Sequence, residues 1–136
     1  MKRNERGFTL LEIMIVVSII AVLMSLAIYK VKGHLEMSKG VAVQSDIQSI
    51  KTQLRLYESM NGFLPTTDQG LQALVVQPST DPKPTRWNQL FEKPPMDPWR
   101  KEYIYLNPGR KNQNGYDLYS AGPDRLPDTA DDDWGG

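Results

Sequence analysis

The sequence has 136 residues, with 16 Lys and Arg against 16 Asp and Glu, so its formal net charge is zero. This length suits one domain of common size, and the balanced charge gives no overall positive field that would attract nucleic acid. Because the chain has no Cys, disulfides and thiolate chemistry are excluded. The one histidine, His34, leaves neither an imidazole pair for zinc nor an obvious serine triad.

The N-terminal part is an apolar segment behind a short basic leader, residues 1–7. Residues 8–29 are 22 consecutive positions with one charged side chain, Glu12. A helix rises about 1.5 Å per residue, so this run spans roughly 33 Å, enough to cross a hydrocarbon core. The run is longer than the apolar region of a signal peptide, and no small-residue cleavage site follows it. We therefore predict a transmembrane helix over 8–29.

Glu12 is the exception in this run, because an acidic side chain inside a membrane costs a few kcal/mol. Two interpretations stay open. Glu12 is the fifth residue of the run, so its carboxylate can reach the headgroups. Alternatively, it meets a positive partner inside the bilayer, such as an amine on a neighbouring chain.

The next segment, residues 30–62, predicts a continuation of the helix with one apolar stripe. Residues at spacings of 4, 3, 4 and 3 form this stripe, namely Val43, Ile47, Ile50, Leu54 and Tyr57. The positions between them are mostly polar, which favours packing of the stripe on the chain's own globular domain. Asn61-Gly62 predicts the C-terminal stop. The joined helix covers about 53 residues, from 8 to 60, or roughly 80 Å.

The head, residues 63–136, contains all ten prolines. Thr66 and Gln69 have the spacing of a capping box at the start of a short helix. Residues 103–106 and 116–120 read as two strands between turn residues. We predict an α+β fold in which a small antiparallel sheet packs against the helical stripe. The tyrosines and tryptophans are assigned to the core and its rim rather than to a sugar-binding platform.

The C-terminal segment is strongly acidic. From Asp117 onward six Asp stand against one Arg, giving a net charge of −5. Composition alone favours a solvated acidic tail over a metal site. If a cation binds, oxygen ligands without His or Cys favour Ca²⁺ over Zn²⁺. The order of the carboxylates is not that of an EF-hand.

The run R-G-F-T-L-L-E at residues 6–12 resembles the leader junction of type IV pilins and type II secretion pseudopilins. The resemblance implies that a prepilin peptidase cuts between Gly7 and Phe8 and methylates the new terminal amine of Phe8. It also implies that Glu12 pairs with the N-terminal amine of an adjacent subunit. Many family members carry a proline where residues 28 and 29 stand, and this chain has none there.

Four further motifs are T-T-D-Q-G-L-Q-A-L, P-x-D-P-W, Y-x-Y-L-N-P-G and Y-D-L-Y-S. Together they are similar to the major pseudopilins (G subunits) of type II secretion, and so imply a type IV pilin-like fold. The resemblance implies one structural Ca²⁺ bound by Asp124, Asp131 and Asp132, with the backbone carbonyls of Ala121 and Leu126.

This chain departs from the family at two turns. The family has glycine where Arg125 and Asp128 stand. After Trp99 it usually has Gly-Asn-Pro, whereas this chain has Arg-Lys-Glu at residues 100–102.

The resemblance implies a structural protein rather than an enzyme. It would lie in the inner membrane with Phe8 cytoplasmic and the head periplasmic, and would polymerise into a periplasmic pseudopilus that exports folded proteins across the outer membrane. The implied partners are further copies of the chain, the prepilin peptidase, minor pseudopilins, an inner-membrane assembly platform with its ATPase, and membrane lipid.

Two alternatives stay open. One is a type IV pilin or minor pseudopilin, although many pilins close a C-terminal loop with a disulfide. The other is a membrane-anchored periplasmic hydrolase that uses paired carboxylates. A head of about 75 residues is too small to provide both a core and a lined cleft, which disfavours the hydrolase.

Overall fold

The structure is a computed structural model that describes residues 8–136, and of residues 31 and 32 it describes the backbone alone. Its elements in chain order are helix α1 (Leu10–Asn61), a 3₁₀ helix (Leu71–Leu74) and strands β1 (Ile104–Leu106) and β2 (Asp117–Tyr119). The chain divides into two units, Met1–Met37 and Ser38–Gly136. The predicted α+β fold is confirmed, while the predicted leader 1–7 lies outside the described residues.

The first unit exposes nearly all of its apolar surface. Its apolar helical side chains are between 48% exposed, as at Ile13, and 82% exposed, as at Leu10 and Tyr29. The helix has a stretch of mean hydropathy 2.7, none of it buried, and is long and apolar enough to cross a membrane. Such a surface is stable only when lipid or another protein surface covers it.

In the second unit, α1 buries the stripe that its sequence predicts. The five stripe residues are at most 1% exposed: Val43, Ile47, Ile50, Leu54 and Tyr57. Burying each of the four aliphatic side chains among them contributes about 1.5–3 kcal/mol. The helix ends at Asn61 because Gly62, with φ 82°, turns into the left-handed region. The N–H of Gly62 then donates to the carbonyl of Glu58 at 2.7 Å, which closes the last turn.

The two short strands pair antiparallel and cover this stripe, as predicted. Tyr105 of β1 stands opposite Leu118 of β2, and both side chains belong to the buried core. The Tyr105 hydroxyl donates to the carbonyl of Pro65 at 2.8 Å, and the Tyr103 hydroxyl donates to Asp46 Oδ2 at 2.8 Å. Burial raises the pKa of both phenols, so they remain hydrogen-bond donors at any physiological pH.

The predicted capping box at Thr66 and Gln69 forms, but it does not open a helix directly. The Thr66 N–H donates to Gln69 Oε1 and the Gln69 N–H donates to Thr66 Oγ1, both at 3.2 Å. Gly70, with φ 55°, separates this turn from the 3₁₀ helix Leu71–Leu74. The buried Gln69 amide also donates to the carbonyl of Thr80 at 3.0 Å, so the side chain ties the following linker to the turn.

The C-terminal residues pack onto α1, which the sequence did not predict. Asp133 and Ser120 exchange backbone hydrogen bonds at 2.8 and 2.9 Å. The Trp134 ring stacks on Tyr119 with 4.3 Å between centroids. The backbone of Gly135 lies so close to the side chain of Ile47 on α1 that an added Cβ would be 3.0 Å from its Cδ1. The segment after the acidic loop is therefore part of the folded head rather than a free tail.

Candidate functional site: the helix start and the acidic loop

Helix α1 begins with a reciprocal capping box made by Thr9 and Glu12. The Glu12 N–H donates to Thr9 Oγ1 at 3.2 Å, and the Thr9 N–H donates to Glu12 Oε2 at 3.2 Å. These bonds satisfy backbone N–H groups at the helix start that have no partner within the helix. The carboxylate also lies at the positive end of the helix dipole. The T-x-x-E spacing of residues 9–12 signals this capping role, which is additional to the pairing predicted for Glu12.

Part of the Glu12 carboxylate remains available. Both hydrogen bonds that it accepts from Thr9 use Oε2, and Oε1 accepts none within residues 8–136. Phe8 immediately precedes the helix and is 79% exposed. The structure thus places Phe8 and Glu12 at the same helix end, while Gly7, the other side of the predicted cleavage junction, lies outside the described residues.

The acidic loop folds around its own carboxylates. Asp124 Oδ1 accepts the N–H of Leu126 at 2.8 Å, and Asp131 Oδ2 accepts the N–H of Asp124 at 3.3 Å. Asp132 Oδ2 accepts the N–H of Thr129 at 3.2 Å. The Thr129 hydroxyl donates to Asp131 Oδ1 at 2.9 Å and lowers the pKa of that carboxyl group. Hydrogen bonds to backbone N–H groups therefore hold the three predicted side-chain ligands in one loop.

One carboxylate oxygen of this loop lacks a partner. Asp132 Oδ1 is buried and forms no hydrogen bond within the described residues. A buried carboxylate oxygen without a partner is costly, and an oxygen-seeking cation is a partner that fits it. In the described part of the chain, however, no three acidic, His or Cys side chains converge as a metal cage. The carbonyl of Leu126, one of the two predicted backbone ligands, accepts the Thr129 hydroxyl at 3.2 Å.

Three residues with side chains occupy backbone conformations that favour glycine. Among the described residues with a Cβ, positive φ values occur at Arg100 (64°), Arg125 (61°) and Asp128 (66°). The resemblance implies glycine at these positions, and in this chain residues with a Cβ adopt the left-handed conformation there. Gly122, with φ 66°, retains its glycine, and an added Cβ there would overlap the carbonyl oxygen of Asp131.

A buried carboxylate ties the P-x-D-P-W turn to the start of the acidic loop. Asp97 is 4% exposed, and its Oδ1 accepts the N–H groups of Trp99 at 3.0 Å and Lys101 at 2.8 Å. Its Oδ2 accepts the Ser120 hydroxyl at 2.6 Å, and that hydroxyl oxygen accepts the N–H of Gly122 at 3.1 Å. The spacing of the motif predicts a rigid turn but carries no signal for this long-range link.

The capped apolar helix start and the small covering sheet define a pilin-like class of protein. In agreement, the family model of the prokaryotic N-terminal methylation motif matches residues 2–28. The family model described as type II secretion system (T2SS), protein G, matches residues 30–134. The chain belongs to the type II secretion system protein G family, and the predicted resemblance is confirmed.

Individual relatives are similar in sequence to nearly the whole of this chain. Type II secretion system core protein G of Dickeya chrysanthemi is 44% identical over 97% of this chain and 86% of the relative. The protein of the same name from Escherichia coli K12 is 42% identical over 97% of this chain and 92% of the relative. The crystal structure of the major pseudopilin of enterohaemorrhagic E. coli superposes with a TM-score of 0.68 at 37% identity, covering 74% of this chain and 85% of that one.

Proposed function

We infer that this chain is the major structural subunit of the periplasmic pseudopilus of the type II secretion system. It polymerises through α1, and the growing filament drives the export of folded proteins across the outer membrane. The observation that carries this inference is the unburied apolar surface of the first unit. Lipid covers that surface before assembly, and the helices of other copies cover it afterwards. The role is structural rather than enzymatic.

The finer topology follows from the same proposal. The first unit anchors the chain in the inner membrane, with Phe8 on the cytoplasmic side and the head in the periplasm. A prepilin peptidase removes residues 1–7 and methylates the amine of Phe8. Minor pseudopilins and an inner-membrane assembly platform with its ATPase are the partners that start and extend the filament. The mass of the mature N-terminal peptide tests the processing step.

Glu12 sets the register between subunits in this proposal. A charged carboxylate in the apolar filament core or the bilayer costs a few kcal/mol unless a positive group neutralises it. The Phe8 amine of a neighbouring copy is such a group. Oε1 of Glu12 is available for it, because the capping bonds to Thr9 occupy Oε2.

Glu12→Gln separates the capping role of this residue from its charge. Glutamine also serves in a capping box, so the variant keeps the helix start but lacks the negative charge. We expect it to insert in the membrane and accumulate as the wild type does, yet to form few or no filaments by electron microscopy of sheared cells. Thr9→Ala is the matched control, because it breaks the box and keeps the charge. Normal filaments in Glu12→Gln would contradict the proposed pairing.

The second proposal is a structural Ca²⁺ site in the acidic loop. The ligands would be Asp124, Asp131 and Asp132, with the backbone carbonyls of Ala121 and Leu126. The cation would offset the repulsion between these carboxylates and give Asp132 Oδ1 the partner that it lacks. Support comes from that oxygen and from the oxygen-only donor set, so Ca²⁺ suits the loop better than Zn²⁺.

Thermal unfolding of the detergent-solubilised full chain in Ca²⁺ and in EDTA tests this site. All three tryptophans lie in the second unit, at 87, 99 and 134, so their fluorescence reports on the head. Ca²⁺ at 100 times its dissociation constant should stabilise the head by about 2.7 kcal/mol. Asp132→Ala should abolish that increase, whereas Asp128→Asn, which changes a carboxylate outside the ligand set, should retain it. Equal melting in Ca²⁺ and EDTA would refute the site and leave the pseudopilus proposal intact.

A further inference from the structure

The second unit has a groove with apolar walls and an acidic rim. Its volume is about 660 Å³. Its apolar walls are formed by Phe91, Pro94, Pro95 and Met96. Asp46, Glu92 and Glu102 also line it, together with one basic residue, Lys93, so three negative charges against one positive leave a net charge of −2. Met96 is 54% exposed. The side chains of Glu92 and Glu102 form no ion pair or hydrogen bond in the part of the chain that the structure describes.

A second concave surface of the same unit is basic. This smaller cavity, about 240 Å³, includes Lys51, Lys111 and Trp134 in its lining. The Lys111 ammonium lies 3.8 Å from the centroid of the Trp134 ring, whereas Lys51 forms no ion pair among residues 8–136. The one carboxylate in the lining, Asp117, is buried and accepts three backbone N–H groups. Two lysines therefore set the charge that this surface presents.

The two surfaces lie on different sides of the buried stripe of α1. Asp46 of the acidic groove and Lys51 of the basic surface are five positions apart on the helix. At 100° per residue they are separated by about 140° around its axis. Two complementary surfaces that point in different directions on one molecule can meet only between molecules. Repetition of such a contact between unlike surfaces generates a filament wherever its rotation does not close a ring.

We propose that the acidic groove of one copy binds the Lys51 surface of the next copy in the filament. The proposal rests on the proposed function, since it names a contact between the heads of the same polymer. The aliphatic stem of Lys51 lies against the apolar walls, and its ammonium reaches the carboxylates of Glu92 and Glu102. Lys111 flanks the contact while its ammonium stays on the Trp134 ring.

Charge reversal in full-length chains tests the contact. Glu92→Lys and Lys51→Glu should each reduce the amount of sheared filament at least tenfold, because each places like charges together at the interface. The two changes combined should restore filaments to within about threefold of the wild type, since the pair is again complementary. Asp68→Lys is the matched control, because Asp68 is an exposed acidic residue outside both surfaces. It should leave filament yield unchanged.

Cysteine cross-linking gives an independent readout, because the natural chain has no Cys. The double variant Glu92→Cys with Lys51→Cys, treated with a short bismaleimide, should yield a ladder of dimers, trimers and higher multiples. Each single variant should yield no ladder, and neither should Asp68→Cys with Lys51→Cys. A product that stops at the dimer would indicate a two-fold symmetric contact and would overturn the proposal.

Different results would refute the head contact and the pseudopilus function. If filaments form but the cross-linked ladder is absent and charge reversal has no effect, the head contact is refuted and the pseudopilus function stands. If the wild-type chain forms no filaments in cells with a complete secretion system, the pseudopilus function fails and the head contact fails with it.

Discussion

Replacing Arg125 by glycine should stabilise the head, although the change removes a whole side chain. Arg125 has φ 61°, and its guanidinium forms no hydrogen bond or ion pair among the described residues. Its backbone N–H donates to the carbonyl of Gly122 at 3.2 Å, a bond that glycine keeps. The side chain thus contributes no polar contact to offset the strain of its backbone conformation.

Two opposing effects set the change in the free energy of unfolding caused by Arg125→Gly. Left-handed backbone costs a residue with a Cβ about 1–2 kcal/mol, and glycine removes that cost. Glycine also gives the unfolded chain more freedom, which costs roughly 0.5–1 kcal/mol. The expected net gain is about 0.5–1 kcal/mol, or about 2–8 °C in Tm for a unit of roughly 100 residues.

The assay is urea unfolding of the full chain in detergent, followed by tryptophan fluorescence. Arg125→Ala is the matched control, because it removes the same guanidinium and keeps the Cβ. The free energy of unfolding of the glycine variant should exceed that of the alanine variant by about 0.5–1 kcal/mol. Asp128→Gly should be close to neutral, because it also removes the ion pair between Asp128 and Arg110, 3.0 Å long and exposed, which is worth at most about 1 kcal/mol. A glycine variant no more stable than Arg125→Ala would refute the reasoning.

Four further predictions concern the head. Tyr57 has a buried hydroxyl without a partner among the described residues, so Tyr57→Phe should leave thermal stability unchanged or higher. Tyr105→Phe removes one of the two donors to the carbonyl of Pro65, the other being the Asn107 amide at 2.8 Å, and should cost about 0.5–1.5 kcal/mol in the same melt. Burial acts to raise the pKa of Asp117, but three backbone N–H donors outweigh it and lower that pKa. The ionised Asp117 carboxylate therefore stabilises the folded head above the unfolded pKa, which is near 3.8. This stabilisation is lost as pH falls through the lower pKa of the folded state. Wild type and Asp117→Asn should therefore differ in urea midpoint at pH 7 and converge in strong acid; a constant difference would contradict this. Gly122→Ala should lower Tm sharply, because the new Cβ overlaps a backbone carbonyl, and an unchanged Tm would refute that geometry.

Local patterns in the sequence predict most of the architecture. The stripe on α1 is set by helical periodicity, and the stop at Gly62 by the conformational freedom of glycine. Both depend on neighbours within a few positions, so the sequence displays them directly. The Thr9–Glu12 capping box is equally local, because its two residues are three positions apart.

The candidate site is harder to predict from the sequence, because its hydrogen bonds join residues that lie far apart in the chain. Asp97 and Ser120 are 23 positions apart and share a 2.6 Å hydrogen bond. No periodicity encodes that pairing, which depends on where two turns meet after the strands have packed. The stacking of Trp134 on Tyr119 likewise requires the C-terminal residues to return to the head. A free acidic tail and a folded acidic loop have the same composition, so composition could not distinguish them.

By itself the sequence determined the long apolar helix, its amphipathic continuation, the short paired strands and the family, because each is recorded in local spacing or in contiguous motifs. The tertiary structure alone decided that the acidic segment is a folded loop and that Asp132 Oδ1 has no hydrogen-bond partner among residues 8–136. It also decided that an acidic groove and a basic surface flank the buried stripe. These features arise from long-range packing, which brings together groups that the sequence keeps far apart.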